Sequence, residues 1–169
     1  MRYFTRGWAN GDLSDDEYAR MPEAYARRLA EIAPRLPAAM LKLAREISLH
    51  DGLIARMRWR PNSKELTMTL VTGSVGPGYR TTTLTYVGAL LGKSRIEALR
   101  NAGLDRETQL LYDEVDIDDD GLLVHRILFW PREEVTIDFS ELRLEDEPRE
   151  DRRVNLGPGF YEDYPDEDE

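Results

Sequence analysis

Residues 53–71 read LIARMRWRPNSKELTMTLV, and along them the hydrophobic period is two. Leu53, Ala55, Met57 and Trp59 alternate with Ile54, Arg56, Arg58 and Arg60. After the turn residues Pro61, Asn62 and Ser63, Leu66, Met68 and Leu70 alternate with Thr67, Thr69 and Val71. Successive side chains of a strand point to opposite faces, so this stretch predicts a β-hairpin with one face for a core and one for solvent.

Upstream of the hairpin the period is helical. Ser14, Asp15, Asp16 and Glu17 form a capping box at the positive end of a helix, and Tyr18, Met21, Tyr25, Leu29 and Ile32 follow at helical spacing. Pro22 is expected to divide this segment, and Pro34 and Pro37 to stop it. A second helix runs from Ala38 to about Leu49, with Met40, Leu41, Ala44 and Ile47 on one face and Gly52 beyond its end. Downstream, residues 79–87 read as a third strand, 94–101 as a short helix closed by Gly103, and 109–117 and 122–130 as strands about an aspartate turn. A last strand runs from 135 to about 144. The expected fold is α+β, with two N-terminal helices packed on one face of a mostly antiparallel sheet of about six strands. Residues 1–144 make this single domain, and residues 145–169, without periodicity and interrupted by Pro148, Pro158 and Pro165, are expected to be an acidic, disordered tail.

Three groups of residues carry a likeness to other proteins. They are Met1-Arg2-Tyr3-Phe4-Thr5 with Trp8, Leu36-Pro37 ahead of a helix ending Leu49-His50-Asp51-Gly52, and His125-Arg126-Ile127-Leu128-Phe129 with Val135-Thr136-Ile137-Asp138-Phe139. Together they resemble a family of small bacterial proteins of unknown function over most of residues 1–144. The resemblance implies a bacterial single-domain protein and brings no catalytic residue with it.

The charge is placed unevenly. Of the net −10, residues 145–169 carry −8, from eleven acids and three arginines. Such a balance disfavours nucleic acid and anionic membranes, both of which require phosphate charge to be neutralised, and makes a basic protein the electrostatic match. The chain has no cysteine, which excludes disulfides and thiolate chemistry, and no stretch approaches the ~18 apolar residues of a membrane span. A cytoplasmic location is expected.

Few motifs carry chemistry. Asp116-Ile117-Asp118-Asp119-Asp120-Gly121 matches the first half of a calcium loop, which makes Asp116, Asp118 and Asp120 candidate metal ligands. Position twelve, however, is Ile127 instead of a bidentate glutamate, and a tight hairpin turn selects the same residues. Gly88-Ala89-Leu90-Leu91-Gly92-Lys93-Ser94 has three residues between its glycines where a phosphate loop needs four. His50 beside Asp51 reads as a helix-end residue and His125 as a strand residue. No catalytic residue or cofactor fingerprint emerges. Arg56, Arg58 and Arg60 fall on one sheet face as a cationic stripe, a candidate anion site for phosphate or an acidic peptide, the chain's own acidic tail included, unless acids such as Glu134 or Asp138 neutralise it. Phe160, Tyr161 and Tyr164 among acids make a candidate partner-binding segment. The expected function is a non-enzymatic interaction protein, of an immunity type toward a basic partner. Two classes compete with it: a hydrolase-type or metal-dependent enzyme with a carboxylate-rich cleft, built on those aspartates or on His50 and Asp51, and an anion-binding module using the arginine stripe.

Overall fold

Thr5 accepts the Trp8 amide hydrogen and Gly11 takes the left-handed conformation, and these two caps bound a short helix, α1 (Arg6–Asn10), in the computed structural model, which describes residues 1–154 and 159–163. The expected capping box opens α2 (Asp15–Ile32): Ser14 Oγ accepts the Glu17 amide, and the Glu17 carboxylate accepts the Ser14 amide at 3.1 Å. Pro22 does not divide this helix. A proline deprives the carbonyl four residues back of its helical donor, here Tyr18, and the Trp8 indole N–H supplies that bond at 3.0 Å while its ring stacks on Tyr18. A single 3₁₀ turn (Ala33–Arg35) then leads into α3 (Ala38–Glu46), which stops short of Leu49 because Ile47 is already extended.

The hairpin read from the sequence is β1 (Gly52–Arg60) and β2 (Glu65–Ser74), and it extends through β3 (Gly78–Val87). Its register carries one correction. Arg56 pairs with Thr69 but Ile54 with Leu70, so Ala55 is the extra residue of a β-bulge and the alternation slips by one there. Helix α4 (Lys93–Leu104) runs through Gly103 instead of ending before it. The remaining strands are β4 (Gln109–Ile117), β5 (Leu123–Trp130), β6 (Glu134–Phe139), β7 (Glu141–Arg149) and β8 (Phe160–Glu162). The expected last strand is thus two, and the expected boundary at Leu144 falls inside β7. Leu142 and Leu144 continue the alternation there, and Asp146 holds the Arg80 and Thr82 side chains of β3.

The α+β class holds: α1 to α3 lead, α4 lies between β3 and β4, and the sheet is antiparallel apart from β8. Strand order is β6-β5-β4-β1-β2-β3-β7, with β8 beside β1. The two ends of that order, β6 and β7, are separated in the chain by Ser140 alone, so the sheet has to roll. Ser140 fastens the roll by donating both its amide and its hydroxyl hydrogens to the Val87 carbonyl. Gly88, at φ +67°, is the residue Ser140 Oγ presses against, where a Cβ would lie 2.5 Å from that oxygen. Inside the roll Tyr86 of β3 donates to His125 Nδ1 of β5 at 2.7 Å, and His125 Nε2 donates to Asp113 at 3.0 Å. Burial pushes the Tyr86 phenol well up from its ordinary value, which keeps it a donor.

A second polar cluster fixes the N-terminal segment. Glu114, buried on β4, accepts the amide hydrogens of Arg2, Tyr3 and Phe4 at 2.7–3.1 Å. Its neighbour Asp116 accepts from Arg28 of α2 at 2.8 Å and from Arg126 of β5 at 3.1 Å, with Arg2 at 3.3 Å. Arg6 closes the β5–β6 turn by donating to the Phe129, Pro131 and Arg132 carbonyls. Tyr3 and Phe4 pack against Tyr25, whose hydroxyl accepts the Val115 amide.

Two outcomes follow from these contacts. Replacing Trp8 by Phe strands the Tyr18 carbonyl and should cost about 1–2 kcal/mol; in a Pro22→Ala background, where the helix regains its own donor, the same change should cost measurably less in denaturant unfolding. For Asp116, burial raises the pKa, but the Ile117 amide and the Arg28 and Arg126 guanidinium groups outweigh it and hold the carboxyl below its ordinary 3.8. A depressed folded value means the stabilisation is complete above the unfolded value and is lost as the pH falls through the folded one. Asp116→Asn should therefore cost about 3 kcal/mol at pH 7, by leaving Arg126 buried without its closest partner, and should flatten the loss of stability below about pH 4.

Candidate functional site at the edge of β1

Beyond Leu53 the edge of β1 away from β2 is free of β4, because those two strands overlap only at Gly52–Leu110 and Leu53–Gln109. Strand β8 occupies the part of that edge from Met57 to Trp59. It lies parallel to β1, with Met57 opposite Phe160, Arg58 opposite Tyr161 and Trp59 opposite Glu162. The Met57 amide donates to the Gly159 carbonyl and the Asp163 amide to the Trp59 carbonyl. On the other flank Gly159 lies against Gly103 of α4 so closely that a Cβ on it would fall 1.7 Å from the Gly103 carbonyl oxygen. Glycine is required there by contact.

The outward face of β1 carries the arginine stripe. The Asp163 carboxylate lies 3.3 Å from Arg58 Nε and 3.3 Å from Arg60 Nε, and Arg60 also binds Glu65 at 2.6 Å. Hydrogen bonds to Glu65 and then to Asp163 raise the Arg60 pKa. Arg56 lies over the Tyr161 ring, 4.6 Å from its centre, and makes no ion pair among the described residues. Arg58 Nε is buried yet makes no hydrogen bond, Asp163 being near but badly angled. The three guanidinium groups, with Thr67 and Thr69, line a depression of about 170 Å³. Across from it Arg100 of α4 pairs with Glu162 and covers the Phe160 ring.

The acids expected to neutralise the stripe are engaged elsewhere, Asp138 by Arg95 and Glu134 by the Met1 amino group. The reason is topological: β5 and β4 separate β6 from β1. Of the aromatic trio, Phe160 and Tyr161 are in β8, and Tyr164 lies outside the described residues. No sequence signal gave the parallel pairing of β8, since three residues are too few to show a period.

The aspartate candidates do not come together. Asp116 sits among three guanidinium groups, where a cation would be repelled. Asp118 closes the β4–β5 turn, its Oδ1 accepting the Leu122 amide at 2.7 Å, with Gly121 at φ +85°. Asp120 is exposed in that turn. Among the described residues no group of three or more His, Asp or Glu side chains is placed to hold a metal ion. His50 uses Nδ1 on the Leu111 carbonyl and lies 3.6 Å from Asp51, in a groove of about 410 Å³ with Ser48, Ser74 and Tyr79. Neither serine hydrogen-bonds to it, so no base and nucleophile are paired there. Among the described residues no helix is long and apolar enough to cross a membrane.

Comparison with curated proteins and with solved structures finds no match. Residues 2–139 match the family described as proteins of unknown function, DUF4085, a span that holds α1 to β6 and thus both walls of the roll. With most of its length matched, the chain belongs to that family.

Proposed function

We propose that this is a non-enzymatic interaction protein that takes an extended acidic segment as an added strand along the edge of β1. The observation that carries the reading is the seating of residues 159–163 there. Main-chain hydrogen bonds supply sequence-independent affinity, as in other cases of strand addition, and the stripe reads the carboxylate of Asp163 and the ring of Tyr161. The chain's own segment is then the resident occupant of a site that a partner's segment of the same chemistry enters by exchange. The exposed ion pairs at this edge are each worth under about 1 kcal/mol, which suits a segment that must come off. A basic partner would use a different surface, the exposed Glu141, Glu145 and Glu147 of β7.

Gly159→Ala tests the reading without touching the stripe, because its added Cβ meets the Gly103 carbonyl and lifts the segment. A labelled peptide with the sequence of residues 159–163 should bind this variant saturably, at least tenfold more tightly than it binds the unaltered chain, and less tightly as salt rises. Tethering at an effective concentration on the order of millimolar is what the peptide has to beat in the unaltered protein. Equal binding to both, or to a Gly159→Ala chain that also carries Arg58→Glu and Arg60→Glu, would sink the proposal.

A further inference from the structure

The stripe is charged beyond what residues 159–163 supply. Arg56 has the Tyr161 ring but no carboxylate, Arg58 has a buried Nε without a hydrogen bond, and the single Asp163 carboxylate is shared between Arg58 and Arg60. Among the described residues fixed acids do not cover the deficit, for Glu65 is itself shared between Arg60 and Arg143. Two like charges held about 6.5–7 Å apart along a strand repel unless an anion stands between them.

Neutral donors converge on the same place. Arg56 is opposite Thr69 and Arg58 opposite Thr67 in the β1–β2 register, and both threonines line the depression with the arginines. Each has a hydroxyl partner on β3, Thr85 for Thr67 and Thr83 for Thr69, both at 3.3 Å. When the β3 hydroxyls donate, Thr67 and Thr69 accept, and their own hydrogens are left for a ligand. About 170 Å³ is the liquid volume of roughly five or six waters, room for one small hydrated ion.

From this convergence we propose that Arg56, Arg58, Thr67 and Thr69 form a binding site for a tetrahedral dianionic oxyanion, a phosphoryl group above all, on the outer face beside β8. The proposal deepens the strand-edge reading: the acidic segment that enters beside β1 carries a phosphoryl group that reaches over the strand into this depression. A carboxylate offers two oxygens in one plane and suits a single guanidinium fork, the role Asp163 approaches at Arg60. A phosphoryl group offers three strong acceptor oxygens in different directions, which matches donors arriving from two strands. Arg56 moves from the Tyr161 ring to the oxyanion, and Arg58 Nε gains the hydrogen bond it lacks.

The test uses the full chain and inorganic phosphate, followed through backbone amide shifts. Saturable shifts confined to Arg56, Arg58, Thr67, Thr69 and their neighbours are expected. Affinity should rise several-fold between pH 6 and pH 8 as phosphate loses its second proton, whereas sulfate, dianionic throughout, should bind with a flat profile. O-phosphoserine binding at least as tightly as the free ion identifies an esterified phosphoryl group as the source; weaker binding of the ester identifies the free ion. Arg56→Gln should weaken phosphate at least tenfold and Thr67→Val about threefold, with thermal unfolding unchanged, since both side chains face outward. Unchanged affinity in either variant, or shifts that spread over the surface without saturating, overturns the site. Gly159→Ala keeps the two ideas apart. Phosphate binding that persists there while the peptide fails leaves the oxyanion site standing alone, and the converse result removes only the oxyanion site.

Discussion

The chain passes from one end of its sheet to the other through a single residue, Ser140, and most of the architecture follows from that constraint. Two strands that are consecutive in the chain yet pair with opposite ends of the order force the sheet to curve until β3 and β5 face one another. Tyr86 and His125 meet for that reason, and Phe139 packs edge-on against Tyr86. The interior so enclosed admits side chains from one face of each strand only. The opposite face of β1, β2 and β3 is left convex and polar, and the arginines and threonines of the candidate site stand there in register.

Rolling also explains why β4 carries buried carboxylates. Its inner face completes the core with Leu110, Val115 and Ile117, and its outer face is not solvated but covered by α2 and by the N-terminal segment. A charged residue in that position is tolerable only if paired and hydrogen-bonded on every side. Glu114 is satisfied by three consecutive backbone amides and Asp116 by guanidinium groups from two different elements. The cluster therefore works as a register device: Arg2, Arg28 and Arg126 can reach Asp116 together only when the N-terminal segment, α2 and β5 are all in place. Deep burial of acids held by backbone amides and guanidinium groups is the opposite of what a cation site or a general base requires, and the apparent calcium motif owes its first aspartate to this structural role.

How much of this could be read in the sequence depended on the range of the signal. Period-two alternation found β1 to β5, and the Ser14–Glu17 box found the start of α2, because both are written within a few residues. Features set by partners far along the chain were silent. Pro22 reads as a breaker until Trp8, fourteen residues earlier, is seen to replace the missing donor. The bulge at Ala55 leaves no local trace in an apolar run, so Leu53 and Ile54 exchange faces unannounced. Thr5 and Gly11, by contrast, are cap residues that could have revealed α1. The stripe was legible as a stripe, since Arg56, Arg58 and Arg60 follow the pleat. The acidic tail was legible as a counter-charge, and its Asp163 does reach Arg58 and Arg60. Glu134 and Asp138 were misjudged, because pairing between strands that are distant in sequence is decided by topology.

The same distinction bears on how the site works. A strand edge flanked by three arginines would be an open invitation to aggregate if it were bare and apolar, and positive charge along an edge is one means of preventing that. Charge alone leaves backbone donors and acceptors unpaired, however, and β8 satisfies them while neutralising only part of the stripe. A cover that completed both the ladder and the charge would be a permanent strand, with nothing left for a ligand to gain. A cover that pairs Met57 to Trp59 but, among the described residues, leaves Arg56 without an ion pair and Arg58 without a hydrogen bond would give the proposed entering segment something the resident does not supply. The proposed exchange would be driven only by such a difference in interaction between two occupants, and the difference would lie at these two guanidinium groups.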